Sequence, residues 1–299
     1  MDIPAMWDLF IVGIFRGGMY ALMAVGLSLV FGVMNIPHFA HGEFYMLGAY
    51  AAYFAYARFG LDPLLAILAG ALTGLVAGAL VEKSVFYPLR KKTREAWVMN
   101  TFLLTVGLSF ALQNAAQAIW GVKFRGITQY WEGSIQVISR VGISIDRAVS
   151  FLIAMVVIVA FWLFLGRTRT GRAIKAVAQD ETGAMLVGID LDRIQTLTFA
   201  LSSMLAGIAG AALLSVNPSY PFMGLRPLYR AWYVVILVGL GNVAAAIPGG
   251  FIVGMLETAS YYFLGAGWQD VASLSILILI LLLKPAGLFG SEVKGIWER

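Results

Sequence analysis

GRTRTGRAIKAVAQDETGAMLVGIDLDR, residues 166 to 193, is a basic, polar, helix-prone stretch set between two long apolar runs. Hydrocarbon offers such a segment no partners for its charges and hydroxyls, so it lies outside the membrane that the flanking runs require. Thr170 is placed to accept the first backbone N–H groups of a helix reaching Ala178, and Asp180 those of a second helix. Gly188 suits the left-handed cap that would end that second helix. The segment therefore reads as folded. Flanked by Arg167, Arg169, Arg172 and Lys175, a short two-helix structure on one face of a bilayer is suited to presentation to a partner. The alternative is a helical loop resting on anionic headgroups.

Composition fixes the class. Of 299 residues, 60% are hydrophobic and 12% charged, whereas soluble proteins carry about 25% charged residues. This is the composition of a polytopic membrane protein. Spans of about 20 apolar residues, needed for a core about 30 Å thick, fit into this length eight or nine times. The expected fold is an all-α transmembrane bundle in one domain, residues 1–299, with 166–193 as its folded loop outside the membrane. The absence of cysteine excludes thiolate metal sites, iron–sulfur clusters and disulfides. A net charge of +5 is better explained by membrane orientation than by nucleic acid, because Lys and Arg cluster beside the spans. No Lys or Arg precedes Arg16, so the first apolar run is expected to be retained and not removed as a secretory signal.

Apolar runs lie near Leu9–Val33, Gly42–Ala57, Leu61–Val81, Trp97–Trp120, Ala148–Leu165, Ile194–Val216, Ala231–Gly241, Gly249–Leu264 and Val271–Leu283, two of them short for a span. Alternating sides places Lys83, Arg90, Lys91, Lys92, Arg94, Arg167, Arg169, Arg172, Lys175, Arg193, Lys284, Lys294 and Arg299 together. The opposite side holds only Arg58, Lys123, Arg125, Arg140, Arg147, Arg226 and Arg230. The positive-inside rule makes the richer side cytoplasmic, with the N-terminus outside, the C-terminus inside and residues 166–193 cytoplasmic.

Two interruptions resemble each other. Asn35-Ile-Pro-His-Phe-Ala-His41-Gly-Glu43 follows the first run, and Asn242 through Ile247-Pro248-Gly249-Gly250 follows the seventh. Broken or re-entrant helices survive at membrane depth only where protein or a water-filled cavity serves the freed backbone groups. Either role, or a bland loop between hairpin helices, fits both. Small residues at four-residue spacing, Ala66, Gly70, Gly74 and Gly78 in one run and Ser202, Ala206 and Gly210 in another, point to close helix packing. Thr101, Thr105, Ser109, Gln113 and Gln117 repeat the spacing with polar residues over about 24 Å. That stripe is more polar than packing alone requires and is read as facing a solute passage, with an interhelical hydrogen-bond seam as the alternative.

Glu257 lies in an apolar run with no basic residue nearby in sequence, which makes it a candidate ion or solute site or a protonated packing residue. Arg16 is expected to snorkel or to pair with a carboxylate. His38 and His41 are three apart, but no fourth ligand is identifiable, so a polar cluster at a helix mouth is the better reading than a metal site. In Gly78-Ala-Leu-Val-Glu-Lys-Ser84, Glu82 stands where a phosphate loop needs glycine. No nucleophile elbow or zinc-protease motif is present, so an enzyme has little support.

The strings GLSLVFGVMNIPHFAHGEFYMLGAY (26–50), TRTGRAIKAVAQDETGAMLVGID (168–190) and LLLKPAGLFG (281–290) resemble the LivH-type permease subunits of branched-chain amino acid ABC importers. The resemblance spans essentially the whole chain, although permeases for urea and short amides share similar strings. It implies an inner-membrane subunit for branched-chain or other hydrophobic amino acids, paired with a second permease subunit of LivM type. It also implies two cytoplasmic ATPases, which bind ATP and magnesium in place of any cofactor in this chain, and a soluble solute-binding protein. Asp180, Glu181, Thr182, Gly183, Ala184, Met185 and Val187 match the family's ATPase-coupling loop, with Gly183 where a larger residue is common. Candidates for the solute path are Asn35, His41, Glu43, Thr101, Thr105, Ser109, Gln113, Gln117, Asn242 and Glu257. The competing class is a secondary transporter using Glu257 as its ion site.

Overall fold

The first apolar run becomes α1 (Ile3–Met34), the longest helix of the computed structural model, which describes residues 3–92, 97–138 and 141–290. The charges at Arg94, Arg140, Lys294 and Arg299 that entered the orientation argument lie outside the described residues. After α1 come α2 (His41–Tyr53), α3 (Pro63–Val81), α4 (Tyr87–Lys92) and α5 (Trp97–Trp120). Then follow α6 (Ile145–Arg167), α7 (Arg169–Gln179), α8 (Glu181–Leu186), α9 (Leu191–Ala212), α10 (Leu225–Val238), α11 (Val243–Leu264) and α12 (Gln269–Leu283). Two π-helical turns, Phe54–Arg58 and Glu82–Phe86, prolong α2 and α3. Among the described residues, paired strands occur in an antiparallel hairpin between α5 and α6, β1 (Ser134–Ile138) with β2 (Val141–Ser144), and an isolated bridge joins Arg125 to Ser219.

Seven helices among the described residues are long and apolar enough to cross a membrane. The expected eight or nine segments are reached only by adding α2 and α10, of 13 and 14 residues. Both are short against the 17 or more residues that a span needs.

Two glycine seams join the bundle. In the α1–α11 pair, a Cβ placed on Gly254 would lie 2.5 Å from the Gly17 nitrogen, and one on Gly250 would lie 2.5 Å from the Ala21 nitrogen. Backbone therefore meets backbone, as small-residue packing in membranes allows. In the α3–α9 pair, the expected stripe of Gly70, Gly74 and Gly78 meets Ser203, Gly207 and Ala211. The α9 face carrying Ser202, Ala206 and Gly210 does not join that seam. Gly210 abuts Tyr45 of α2, and the Ser202 hydroxyl donates to the Gly26 carbonyl at 2.7 Å.

The first interruption is a true break. Asn35, exposed with φ 53°, ends α1, and the chain turns back so that His38, His41 and Glu43 are fully buried. The second lies earlier than its sequence suggests. Gly239 and Gly241 take positive φ, Asn242 caps α11, and Ile247–Gly250 is helical with Pro248 inside the helix. The motif shared by the two interruptions thus serves different ends: Pro37 stands in a break, whereas Pro248 stands a turn and a half into a helix. The breaks nevertheless touch, Gly32 lying against Gly241.

Candidate functional site

On the face reached by the start of α6 and the end of α9, a cavity of about 560 Å³ opens between α1, α2, α6, α9 and α10. Its size falls within the range of small-molecule sites, about 300–1,000 Å³. Asp8, Val12, Arg16, Tyr20 and Met23 of α1 line it at helical spacing, one face running from the mouth to its depth. Arg147, Arg226 and Arg230 add further cationic lining, and Tyr45, Asn217 and Tyr220 neutral polar groups.

At the cavity wall lies an ion network that distance in sequence had hidden. Arg230 Nε lies 2.9 and 3.0 Å from the two carboxylate oxygens of Glu257, and its Nη2 lies 3.1 Å from Asp270. The Tyr20 hydroxyl donates to Glu257 at 2.6 Å. Glu257 is completely buried and Arg230 is 12% exposed. The apparently lone carboxylate is therefore paired, because α10 and α11 pack together and bring a residue 27 positions away against it. Arg230, counted from sequence among the charges of the side with fewer Lys and Arg, sits within α10. Arg16 has no carboxylate within salt-bridge distance among the described residues, and its guanidinium lies 5.8 Å above the Tyr261 ring.

None of the ten sequence-selected path residues lines this cavity. The polar stripe of α5 meets the first break instead. Thr105 donates to the Pro37 carbonyl at 2.9 Å and accepts from the Phe39 N–H at 3.2 Å. Ser109 and Gln113 donate to one Glu43 oxygen at 2.8 and 2.7 Å. Thr101 is buried and returns its hydroxyl to carbonyls of its own helix, while Gln117 is exposed beyond the seam. The stripe's fit to the seam reading has a plain cause: a chain that re-enters the bundle brings unpaired backbone and a carboxylate needing donors. His41 bonds the Met23 carbonyl at 3.2 Å. Asn35 supplies a left-handed backbone turn, and Asn242 accepts from Ala245 N and donates to Phe289 O. No group of three metal-ligating side chains occurs among the described residues.

The opposite face carries residues 166–193. Thr168, not Thr170, caps α7: its hydroxyl accepts from Gly171 N at 2.9 Å and donates to Phe164 O at 2.8 Å, so α7 begins directly after α6. Asp180 caps α8 by accepting from Thr182 N at 3.1 Å, and Gly188 takes φ 85°. A Cβ at Gly183 would press into the Asp180 carboxylate, which accounts for glycine there. Ala184 turns inward at 3% exposure, so the outward apolar patch is Met185, Leu186 and Val187, with Leu186 84% exposed. The segment is pinned at its far end, where Arg90 bridges Glu82 and Asp192 at 3.0 Å each and Thr196 donates to Glu82 at 2.5 Å. Beside it lies a second cavity of about 1110 Å³, bordered by Lys83, Tyr87, Arg169 and Arg193. On the first cavity's side, backbone N–H groups of Tyr130 and Trp131 donate to Asp146. Burial and that carboxylate push the Tyr130 phenol above its usual range.

Arg16 and the Tyr220 region were the sequence's weak pointers to the cavity. A charge inside the first apolar run and the polar Ser215–Tyr220 stretch before a short helix mark a wet interior.

A multi-pass helical bundle with a solute-sized cavity on one face and a folded polar lever on the other is a membrane transport component. The chain belongs to the family described as branched-chain amino acid transport system / permease component, matched over residues 9–283. It is 30% identical over 291 residues to the high-affinity branched-chain amino acid transport system permease protein LivH of Escherichia coli strain K12, covering 93% of each chain. It is 32% identical over 291 residues to BraD of Pseudomonas aeruginosa, covering 93% of this chain and 94% of that one. It is 28% identical over 296 residues to a probable LivH of Methanocaldococcus jannaschii, covering 94% and 91%. No solved structure matches it.

Proposed function

We propose that this protein is the permease subunit of an ATP-driven importer that moves branched-chain or related hydrophobic amino acids into the cell. The observation that carries the reading is the pairing of a cavity on one face with an exposed apolar turn, Met185–Val187, on a pinned loop of the other. An isolated carrier has no need to show three bulky apolar side chains to water there, whereas a docking helix does. A cytoplasmic ATPase pair, binding ATP and magnesium, receives that turn. A second permease subunit of LivM type completes the bundle, and a soluble binding protein delivers the solute to the cavity mouth. The N-terminus then lies outside and the C-terminus inside, in agreement with the charge distribution. Import of urea or a short amide is disfavoured by the names of the relatives. A secondary carrier built on Glu257 is disfavoured by its engagement with Arg230 and Tyr20.

The test is uptake of radiolabelled L-leucine by the complex in liposomes. Uptake is expected to persist when proton and sodium gradients are collapsed and to stop when ATP is withdrawn. Uptake that follows an ion gradient without ATP would overturn the assignment.

A further inference from the structure

Four guanidinium groups line the cavity, and they are not equivalent. Arg230 is committed to Glu257 and Asp270. Arg147 and Arg226 stand exposed in the first turns of α6 and α10, where water and salt screen them. Arg16 lies ten residues into the Met6–Met34 span, about 15 Å along the helix. It is partly buried, and no carboxylate lies within salt-bridge distance among the described residues. A charged side chain at such depth persists where it faces a wet interior and where function uses it. Glu257, at the cavity wall, is already engaged by Arg230 and by the Tyr20 hydroxyl.

The surroundings define what fits. One turn deeper than Arg16, Met19 and Tyr20 continue the lining, followed by Met23, with Met223 contributed by the segment before α10. Methionine walls suit flexible aliphatic groups of varied shape. Asn217 and Tyr45 offer neutral oxygen acceptors, and Asp8 a carboxylate at the mouth. A planar guanidinium receives a carboxylate through two parallel hydrogen bonds, a geometry an ammonium cannot copy.

We infer that Arg16 is the carboxylate-binding residue of the transport cavity, holding a zwitterionic solute with its aliphatic side chain toward Met19, Met23 and Met223. The assignment rests on the amino-acid import reading and adds to it the residue that recognises the solute's acid group. Any solute lacking that carboxylate loses the contact.

The test uses the assembled complex with cysteine-free partners. Because this chain has no cysteine, Val12→Cys places one thiol on the cavity face, and labelling by a small neutral maleimide reports occupancy. L-Leucine is expected to slow labelling, and L-leucinamide, which keeps the ammonium but lacks the carboxylate, to need at least tenfold higher concentration. With Arg16→Gln added, leucine should need about that tenfold excess too, erasing the discrimination, and Arg16→Lys should restore part of it. A purely structural Arg16 would lower assembly or labelling without removing the difference between the two compounds. Unchanged discrimination in Arg16→Gln would overturn the inference, and so would a failure of leucine to protect Val12→Cys. ATP-dependent leucine uptake by the same preparation, measured with Arg16 intact, separates failure of the import reading from failure of this assignment.

Discussion

Replacement of Glu257 separates two mechanisms and has a magnitude that follows from the geometry. The carboxylate is fully buried, both its oxygens lie within 3.0 Å of Arg230 Nε, and it accepts from the Tyr20 hydroxyl at 2.6 Å. In Glu257→Ala, Arg230 keeps only Asp270, which is 61% exposed and holds it weakly. Removing one member of a buried pair costs about 3–5 kcal/mol, largely through the charge left behind. Glu257→Gln keeps the size and one acceptor oxygen, so it loses the charge-assisted share alone, about 1.5–3 kcal/mol. Combining Glu257→Gln with Arg230→Gln should cost less than the two singles summed, by about 2 kcal/mol, because neither charge remains orphaned. The assay is reversible unfolding in mild detergent for the four variants, alongside ATP-driven leucine uptake in liposomes. The order Ala, then Gln, then wild type in rising stability is expected, with Glu257→Gln still importing. A Glu257→Ala protein as stable as wild type would refute the pairing argument. Uptake that vanishes in Glu257→Gln and tracks an ion gradient in wild type would show that the carboxylate carries the driving ion.

Leu186→Asp with Val187→Asp places two charges on the outward turn of α8, at side chains 84% and 78% exposed; the bundle should fold normally while uptake falls at least tenfold and ATP hydrolysis no longer responds to solute, as read by uptake and phosphate release. Gly254→Val forces branched carbon into a space where even a Cβ would sit 2.5 Å from the Gly17 nitrogen, and overpacking of this kind costs about 1–3 kcal/mol or more. Its melting temperature should fall clearly below that of Gly107→Val, a glycine with open space around it.

What the sequence made legible was whatever chain-local physics determines. The nine apolar runs became helical segments because hydropathy is a property of consecutive residues, and Asp180 and Gly188 took their expected capping roles because a cap is settled within three or four positions. The choice of Thr170 over Thr168 failed for a local reason of a different kind. Both threonines can cap, but Thr168 also returns its hydroxyl to Phe164, so the preceding helix decides between them. The α5 stripe shows the next limit. Its spacing revealed a polar face, yet a face does not say what it meets, and only the re-entry of residues 35–43 turns Thr105, Ser109 and Gln113 into a seam.

Pairings made by topology were hidden altogether. Arg230 and Glu257 are 27 residues apart, and Tyr20 is 237 from Glu257, so no window of sequence contains the triad. The same holds for Glu82 with Thr196, 114 residues away at the other face. Each of these networks engages a buried acid, Glu257 through Arg230 and Glu82 through Arg90, and each ties together helices that enclose a cavity or border residues 166–193. That reverses the usual inference from an intramembrane charge. Glu257 and Glu82 are already paired, and the informative charge is a cavity-lining arginine, Arg16, with no carboxylate within salt-bridge distance among the described residues. Arg16 stands beside the seam by which Gly13 and Gly17 of α1 meet α11, its guanidinium 5.8 Å from the Tyr261 ring of α11 and at the cavity lining. The close approach of the two backbones thus brings Tyr261 of α11 against the arginine that lines the cavity.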